Sequence, residues 1–171
     1  LKNMINLSLS IKDRPSAIRY PRDLAGDYDN KKPFQIIKIG KGKIVKKGKK
    51  IAFLNLGTRL KRVFETSKLI KDQFKIESTI VDMRFAKPID KLIIKSLLKN
   101  HDIFITIEEN AIGGFSSQVN DYLLNSISNT PKISNFFMKD EFIDQSDIGD
   151  QYLQSGISPE LIVKRVSKLL K

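Results

Sequence analysis

From residue 50 onward the chain alternates between two hydrophobic periods, and that alternation restricts its fold more than any other feature. KIAFLNLG (50–57) is a continuous apolar run ending in Gly-Thr, the pattern of a buried strand, and TRLKRVFETSKLIKDQ (58–73) has the spacing of an amphipathic helix. FKIESTIVDMRF (74–85) reads as a second strand, and Pro88-Ile89-Asp90 opens a helix over DKLIIKSLLKNH (90–101). DIFITIEE (102–109) and PKISNFFM (131–138) are further strands, with GGFSSQVNDYLLNSIS (113–128) as the helix between them. SPELIVKRVSKLLK (158–171) closes the chain as a helix with Pro159 in its first turn. Strands and helices at this spacing predict an α/β fold: a mostly parallel sheet with helices on both faces.

The region before residue 50 follows a different plan. Residues 1–11 (LKNMINLSLSI) read as the end of a helix, and PSAIRYPR (15–22) as a short strand closing at Tyr20-Pro21. Residues 23–49 are polar and irregular, then lysine-rich, and read as a linker and basic loop. The chain starts with Leu, inside helical sequence and with no signal-peptide pattern, so a truncated beginning is expected. At 171 residues one principal core is the prior. No apolar run is long enough to span a bilayer as a helix. No cysteine occurs, which removes disulfides and thiolate metal sites.

Charge is unevenly placed. The formal net charge is +12, and no acid occurs between Asp29 and Glu65, a stretch holding twelve lysines and arginines. Such a stripe raises nucleic-acid binding as a possibility. KGKIVKKGKK (41–50) has no interleaved aromatic residue, however, and no helix-turn-helix, zinc-finger or RNA-recognition pattern accompanies it. A solvated basic loop is the preferred reading.

In a parallel sheet the chemistry gathers beyond the carboxyl ends of the strands. Three strand ends carry polar or special residues: Gly57-Thr58, Arg84, and Glu108-Glu109-Asn110, the last followed by Gly113-Gly114. The glycine pair precedes a helix and so offers N–H groups to an anion. Its spacing matches neither the dinucleotide fingerprint nor the P-loop, and a tight strand-to-helix crossing explains it as well. Adjacent residues on a strand face opposite ways, so Glu108 and Glu109 are poorly placed to act as an acid/base couple on one substrate. One of them is expected to cap a helix or bridge to a partner. His101, the only histidine, falls at the start of a strand, opposite the tips, with no second ligand nearby in sequence. It reads as structural or exposed.

Four stretches, PSAIRYPR (15–22), GKGKIVKKGKKIAFLNLGT (40–58), VDMRFAKPID (81–90) and ITIEENAIGGFSSQVNDYL (105–123), occur in an order and at intervals that resemble the C-terminal part of the 1-deoxy-D-xylulose-5-phosphate synthases. These belong to the transketolase-like thiamine-diphosphate enzymes. The β subunits of 2-oxo-acid dehydrogenases share the architecture but lack the Arg-Tyr-Pro-Arg and Glu-Glu-Asn-Ala-Ile-Gly-Gly wording. The resemblance implies residues 1–22 as the tail of a pyrimidine-binding domain, 23–49 as linker and basic loop, and 50–171 as a transketolase-like C-terminal domain. The whole enzyme condenses pyruvate with D-glyceraldehyde 3-phosphate, with decarboxylation, as a homodimer using thiamine diphosphate and Mg2+ in the cytoplasm or a plastid-type organelle. The N-terminal and pyrimidine-binding domains are its implied partners.

What carries over to single residues is limited. The magnesium-diphosphate motif, the cofactor-activating Glu and the catalytic histidines have no counterpart here, so this chain alone is expected to be inactive and to bind no cofactor. Arg22 matches the residue that holds the phosphate of glyceraldehyde 3-phosphate, and guanidinium suits that task. Arg19 is a possible support, preferred as a structural ion pair, and Asp23 stands where the family has glycine. Arg84, Glu108, Glu109, Asn110, Gly113 and Gly114 are implied as interface or structural strand-end residues. A stand-alone anion- or nucleic-acid-binding α/β module is the alternative from another class.

Overall fold

The computed structural model describes residues 1–18, 20, 33 and 35–171. They form two compact units, Leu1–Ile39 and Gly40–Lys171. The first carries α1 (Lys2–Ser10) and a backbone tie, the Gln35 N–H donating to the Asn3 side chain at 3.0 Å.

The second unit is a three-layer α/β domain. Its strands are β1 (Lys43–Lys46), β2 (Lys50–Asn55), β3 (Thr79–Asp82), β4 (His101–Ile107) and β5 (Lys132–Phe136). Its helices are α2 (Leu60–Phe74), α3 (Lys91–Leu97), α4 (Phe115–Ser126), α5 (Ile148–Gln154) and α6 (Pro159–Leu169). The sheet order is β1-β3-β2-β4-β5, with β1 antiparallel to β3 and every other pairing parallel.

The central strands are apolar on both sides because both sides are covered. Ile51 and Phe53 of β2, with Ile103, Ile105 and Ile107 of β4, pack under α2 and α6 against Val63, Ile70, Ile162 and Val166. Ala52, Leu54 and Phe104 point the other way, onto Ile94 and Leu97 of α3 and Phe115, Val119 and Leu123 of α4. The period-two alternation of a strand thus feeds two cores from one sequence run.

Helix ends explain where the elements differ from the sequence reading. The second strand shrinks to Thr79–Asp82 because α2 continues through Phe74 and terminates at Lys75 in the left-handed conformation, with φ of 58°. The next helix starts one residue later than read, at Lys91, where the Asp90 carboxylate accepts the Ile93 N–H at 3.2 Å. The other Asp90 oxygen accepts the Gly42 N–H at 3.1 Å, tying that helix to the approach to β1. The same helix ends at Leu97, because the chain must turn before β4. Residues 43–46, read as basic loop, form the edge strand β1, and a further helix, α5, precedes the closing one.

His101 is a buried structural residue. Its Nδ1 lies 2.7 Å from the Leu97 carbonyl, which only accepts, so Nδ1 carries the proton. Nε2 therefore accepts from the Thr79 hydroxyl at 2.7 Å, and Thr79 Oγ1 accepts the Gly48 N–H at 2.9 Å. One relay joins the β1–β2 turn, β3, β4 and the end of α3.

Candidate functional site

β2 and β4 are neighbours whose following helices leave to opposite faces of the sheet, α2 to one and α4 to the other. Their carboxyl ends therefore flank the topological switch point, where open α/β sheets form their binding crevice. The residues bordering it are Asn55 to Arg59 on one side and Glu108 to Asn110 on the other.

Glu108 and Glu109 diverge, as strand alternation requires. Glu108 is fully buried, and its carboxylate accepts the backbone N–H groups of Phe115 at 2.8 Å and Ser116 at 2.7 Å. It also accepts from the Asn110 side chain at 3.1 Å. Gly113 adopts φ of 100°, a left-handed conformation that favours glycine. A Cβ on Gly114 would collide with the Glu108 carboxylate. The glycine pair thus brings the start of α4 onto a buried carboxylate, and the protein's own anion takes the N–H groups that would otherwise cradle a phosphate.

Glu109 reaches across the switch point. Its Oε1 accepts the Thr58 hydroxyl at 2.5 Å and the Tyr152 hydroxyl at 2.6 Å. Arg59 is 4% exposed, stacks over the Tyr152 ring at 3.3 Å from its centroid, and sets Nε 3.9 Å from Glu109. Burial, and then the bond to Glu109, raise the Tyr152 phenol above its ordinary pKa. Asn55 Oδ1 and Arg59 Nε are buried beside the crevice without a hydrogen-bond partner among the described residues. Tyr152 enters from α5, whose start is capped by Asp147 accepting from Gly149 and Asp150. An open cavity of about 520 Å³ adjoins Tyr152, bordered by Arg59, Arg62, Glu65, Asp72 and Glu160 among others. Cations and carboxylates alternate along it, so its charge does not select an anion.

Both strand-tip carboxylates are thus spent on structure, one on a helix start and one on a cross-crevice clasp. Arg84, after β3, sits at φ of 62° with Nε 3.4 Å from Asp82 and does not join this cluster. Arg19 and Arg22 lie outside the described residues. Tyr152 and Arg59 were not singled out from the sequence. The bracket of Asp147 and Gly156 around residues 148–154 was the available signal, a capping acid before and a glycine just after a helical turn. Among the described residues no three His, Cys, Asp or Glu side chains could hold a metal ion. With the α4 start filled by Glu108, the described residues do not fit thiamine diphosphate with Mg2+, and no chemical step through that cofactor is derived for them.

The family described as Transketolase, C-terminal domain matches residues 40–162. A solved structure described as a split-gene transketolase, an inactive beta4 tetramer, is similar with a TM-score of 0.72 at 24% identity, covering 85% of this chain and 46% of its own. Two transketolase variants from Pichia stipitis, solved with fructose 6-phosphate and with xylulose 5-phosphate, give TM-scores of 0.55 at 13% and 14% identity. Each covers 77% of this chain and 18% of its own length. This chain spans less than half of these proteins, and at such identities the likeness is one of fold.

Proposed function

The chain belongs to the transketolase C-terminal domain family, and from that premise we propose that it is the C-terminal segment of a 1-deoxy-D-xylulose-5-phosphate synthase. The observation that carries this reading is the wording of four motifs in order, above all Arg-Tyr-Pro-Arg at 19–22 and Glu-Glu-Asn-Ala-Ile-Gly-Gly at 108–114. The second of these is a working unit in the fold: Glu108 needs the Gly114 position empty of a side chain, and the helix needs Glu108. In this reading residues 1–22 complete a pyrimidine-binding domain, residues 50–171 are the assembly domain, and Arg22 holds the substrate phosphate. Thiamine diphosphate and Mg2+ belong to the domains that complete the enzyme, and residues 50–171 contribute to the homodimer contact.

The test is reconstitution. The chain, fused to the cofactor- and pyrimidine-binding domains of a synthase, is expected to support carbon dioxide release from pyruvate that depends on glyceraldehyde 3-phosphate. A well-folded fusion that binds thiamine diphosphate but turns over only a ketose phosphate donor would assign the chain to transketolase proper instead.

A further inference from the structure

The second unit carries an acidic segment at one end of its strands and a lysine cluster at the other. Residues 140–150 hold five of the chain's 19 carboxylates and no base, and of these Glu141 is paired with Lys139 just before them at 3.1 Å. All five are exposed, and between them Phe142 is fully exposed and Ile148 is exposed. This segment sits at the carboxyl tips of the sheet: Met138 before it bonds the Asn110 carbonyl at 3.0 Å, and Tyr152 after it bonds Glu109 at 2.6 Å.

The amino ends of the strands carry the opposite charge. The Lys49 N–H bonds the Glu77 carbonyl at 2.7 Å and the Lys50 N–H bonds the Asn100 carbonyl at 2.8 Å. Gly48 lies so close to the Glu77–Ser78 backbone that a Cβ there would clash. These contacts bring Lys47, Lys49, Lys50, Lys75 and Lys99 to one end of the sheet, all exposed. The Glu77 carboxylate is taken by Lys46 and Lys71, and its pKa is lowered by those contacts, Lys71 first. Lys47, Lys49, Lys50 and Lys99 join no ion pair among the described residues. Asp72 and Asp102 are the remaining carboxylates on these segments and leave a clear positive excess.

We propose that the acidic, Phe142-bearing segment of one copy docks on the lysine cluster of a second copy, head to tail. A nucleic acid would use the lysines alone, and Phe74, the aromatic residue beside Lys75, packs against the core and does not offer its face to a base. A second copy uses both ends, the carboxylates meeting lysines and Phe142 supplying an apolar anchor. Because the two patches differ, the contact is heterologous and leaves a free patch of each kind, so assemblies lengthen with concentration. This goes beyond the synthase reading and does not depend on it.

Sedimentation velocity of the whole chain tests it. At about 0.01 M salt the mean size should grow steadily with concentration, and at about 1 M salt it should fall to the monomer. K47E/K49E/K99E and D140K/E141K/D144K should each be monomeric alone, with circular dichroism showing that each is folded. Mixed in equal amounts they should associate again, since every reversed patch then meets its opposite. Phe142→Ser should weaken association at least about tenfold, the scale of a lost interface anchor. A wild-type chain that stays monomeric at low salt overturns the proposal. So does association that ignores the charge reversals or mixed variants that stay apart. Capture of a duplex oligonucleotide by a monomeric wild type would assign the lysines to nucleic acid instead.

Discussion

The carboxylate of Glu108 occupies the space that a Cβ on Gly114 would need, so neither residue is intelligible without the other. The glycine makes room for the acid, and the acid holds the helix that the glycine begins.

Glu108→Ala is expected to strand two buried N–H groups and destabilise the domain by about 1.5–3 kcal/mol, the range for hydrogen bonds to a charged group. Gly114→Ala, which must push the carboxylate aside, should cost about 1–3 kcal/mol as an overpacking change. The double variant should be less destabilised than the sum, because the new methyl group enters space already cleared. Urea unfolding of the four proteins measures the coupling, and strict additivity would show that the two do not share that space.

Tyr152→Phe should loosen α5 without disturbing the sheet, seen as faster hydrogen exchange over residues 148–154. The tyrosine also sets a pH limit. Its folded pKa is raised, so its contribution to stability is complete below the ordinary phenol value of about 10 and is lost as pH rises through the higher folded value. Wild type should therefore lose stability in alkali more steeply than Tyr152→Phe. Parallel curves for the two would show that the phenol does not titrate with the fold.

Thr79→Val keeps the shape of the side chain but deprives His101 Nε2 of its donor and the Gly48 N–H of its acceptor. A loss of about 1–3 kcal/mol is expected from these buried unpaired groups. Exchange of the Gly48 amide should accelerate with it, which a simple packing defect elsewhere would not produce.

On the synthase reading proposed above, Arg22→Ala in a full-length enzyme rebuilt around this chain should raise KM for glyceraldehyde 3-phosphate far more than KM for pyruvate, since only the former carries a phosphate. The expected loss is about 1.5–3 kcal/mol, one to two orders of magnitude in kcat/KM. Arg22→Lys should recover part of it, keeping the charge but losing the two-pronged geometry. Arg19→Ala should act on stability with little selectivity, and Asp23→Gly should tighten the phosphorylated substrate if that side chain faces the pocket. Equal loss for both substrates in the Arg22 variant would remove it from the phosphate site.

The sheet was legible because its signal is hydrophobic period: Ile51 to Leu54 and Ile103 to Ile107 announce strands that bury both faces. The divergence of Glu108 and Glu109 followed from strand alternation alone. What each then meets did not, since Thr58 and Tyr152 lie 51 and 43 residues from Glu109 and no local pattern links them. β1 was hidden by composition, its lysines reading as solvated loop although Ile44 and Val45 are half-buried. An edge strand tolerates such a sequence because lysines discourage further pairing. Residues 74–78 were misread as strand because Phe74 and Ile76 pack against the core from a helix end and its exit.

The position of β1 also bears on the order in which a nascent chain acquires structure. Its partner β3 begins at Thr79, so β1 leaves the ribosome more than thirty residues before anything exists for it to pair with. By the time β3 arrives, β2 and α2 have already been synthesised, and the parallel β2–β3 ladder must form alongside the β1–β3 one. A waiting strand rich in apolar residues would be an aggregation hazard, whereas Lys43, Lys46 and Lys47 keep this one hydrated until its place opens. Nascent chains stalled before Thr79 should show unprotected β1 amides, and protection should appear only once β3 has cleared the exit tunnel.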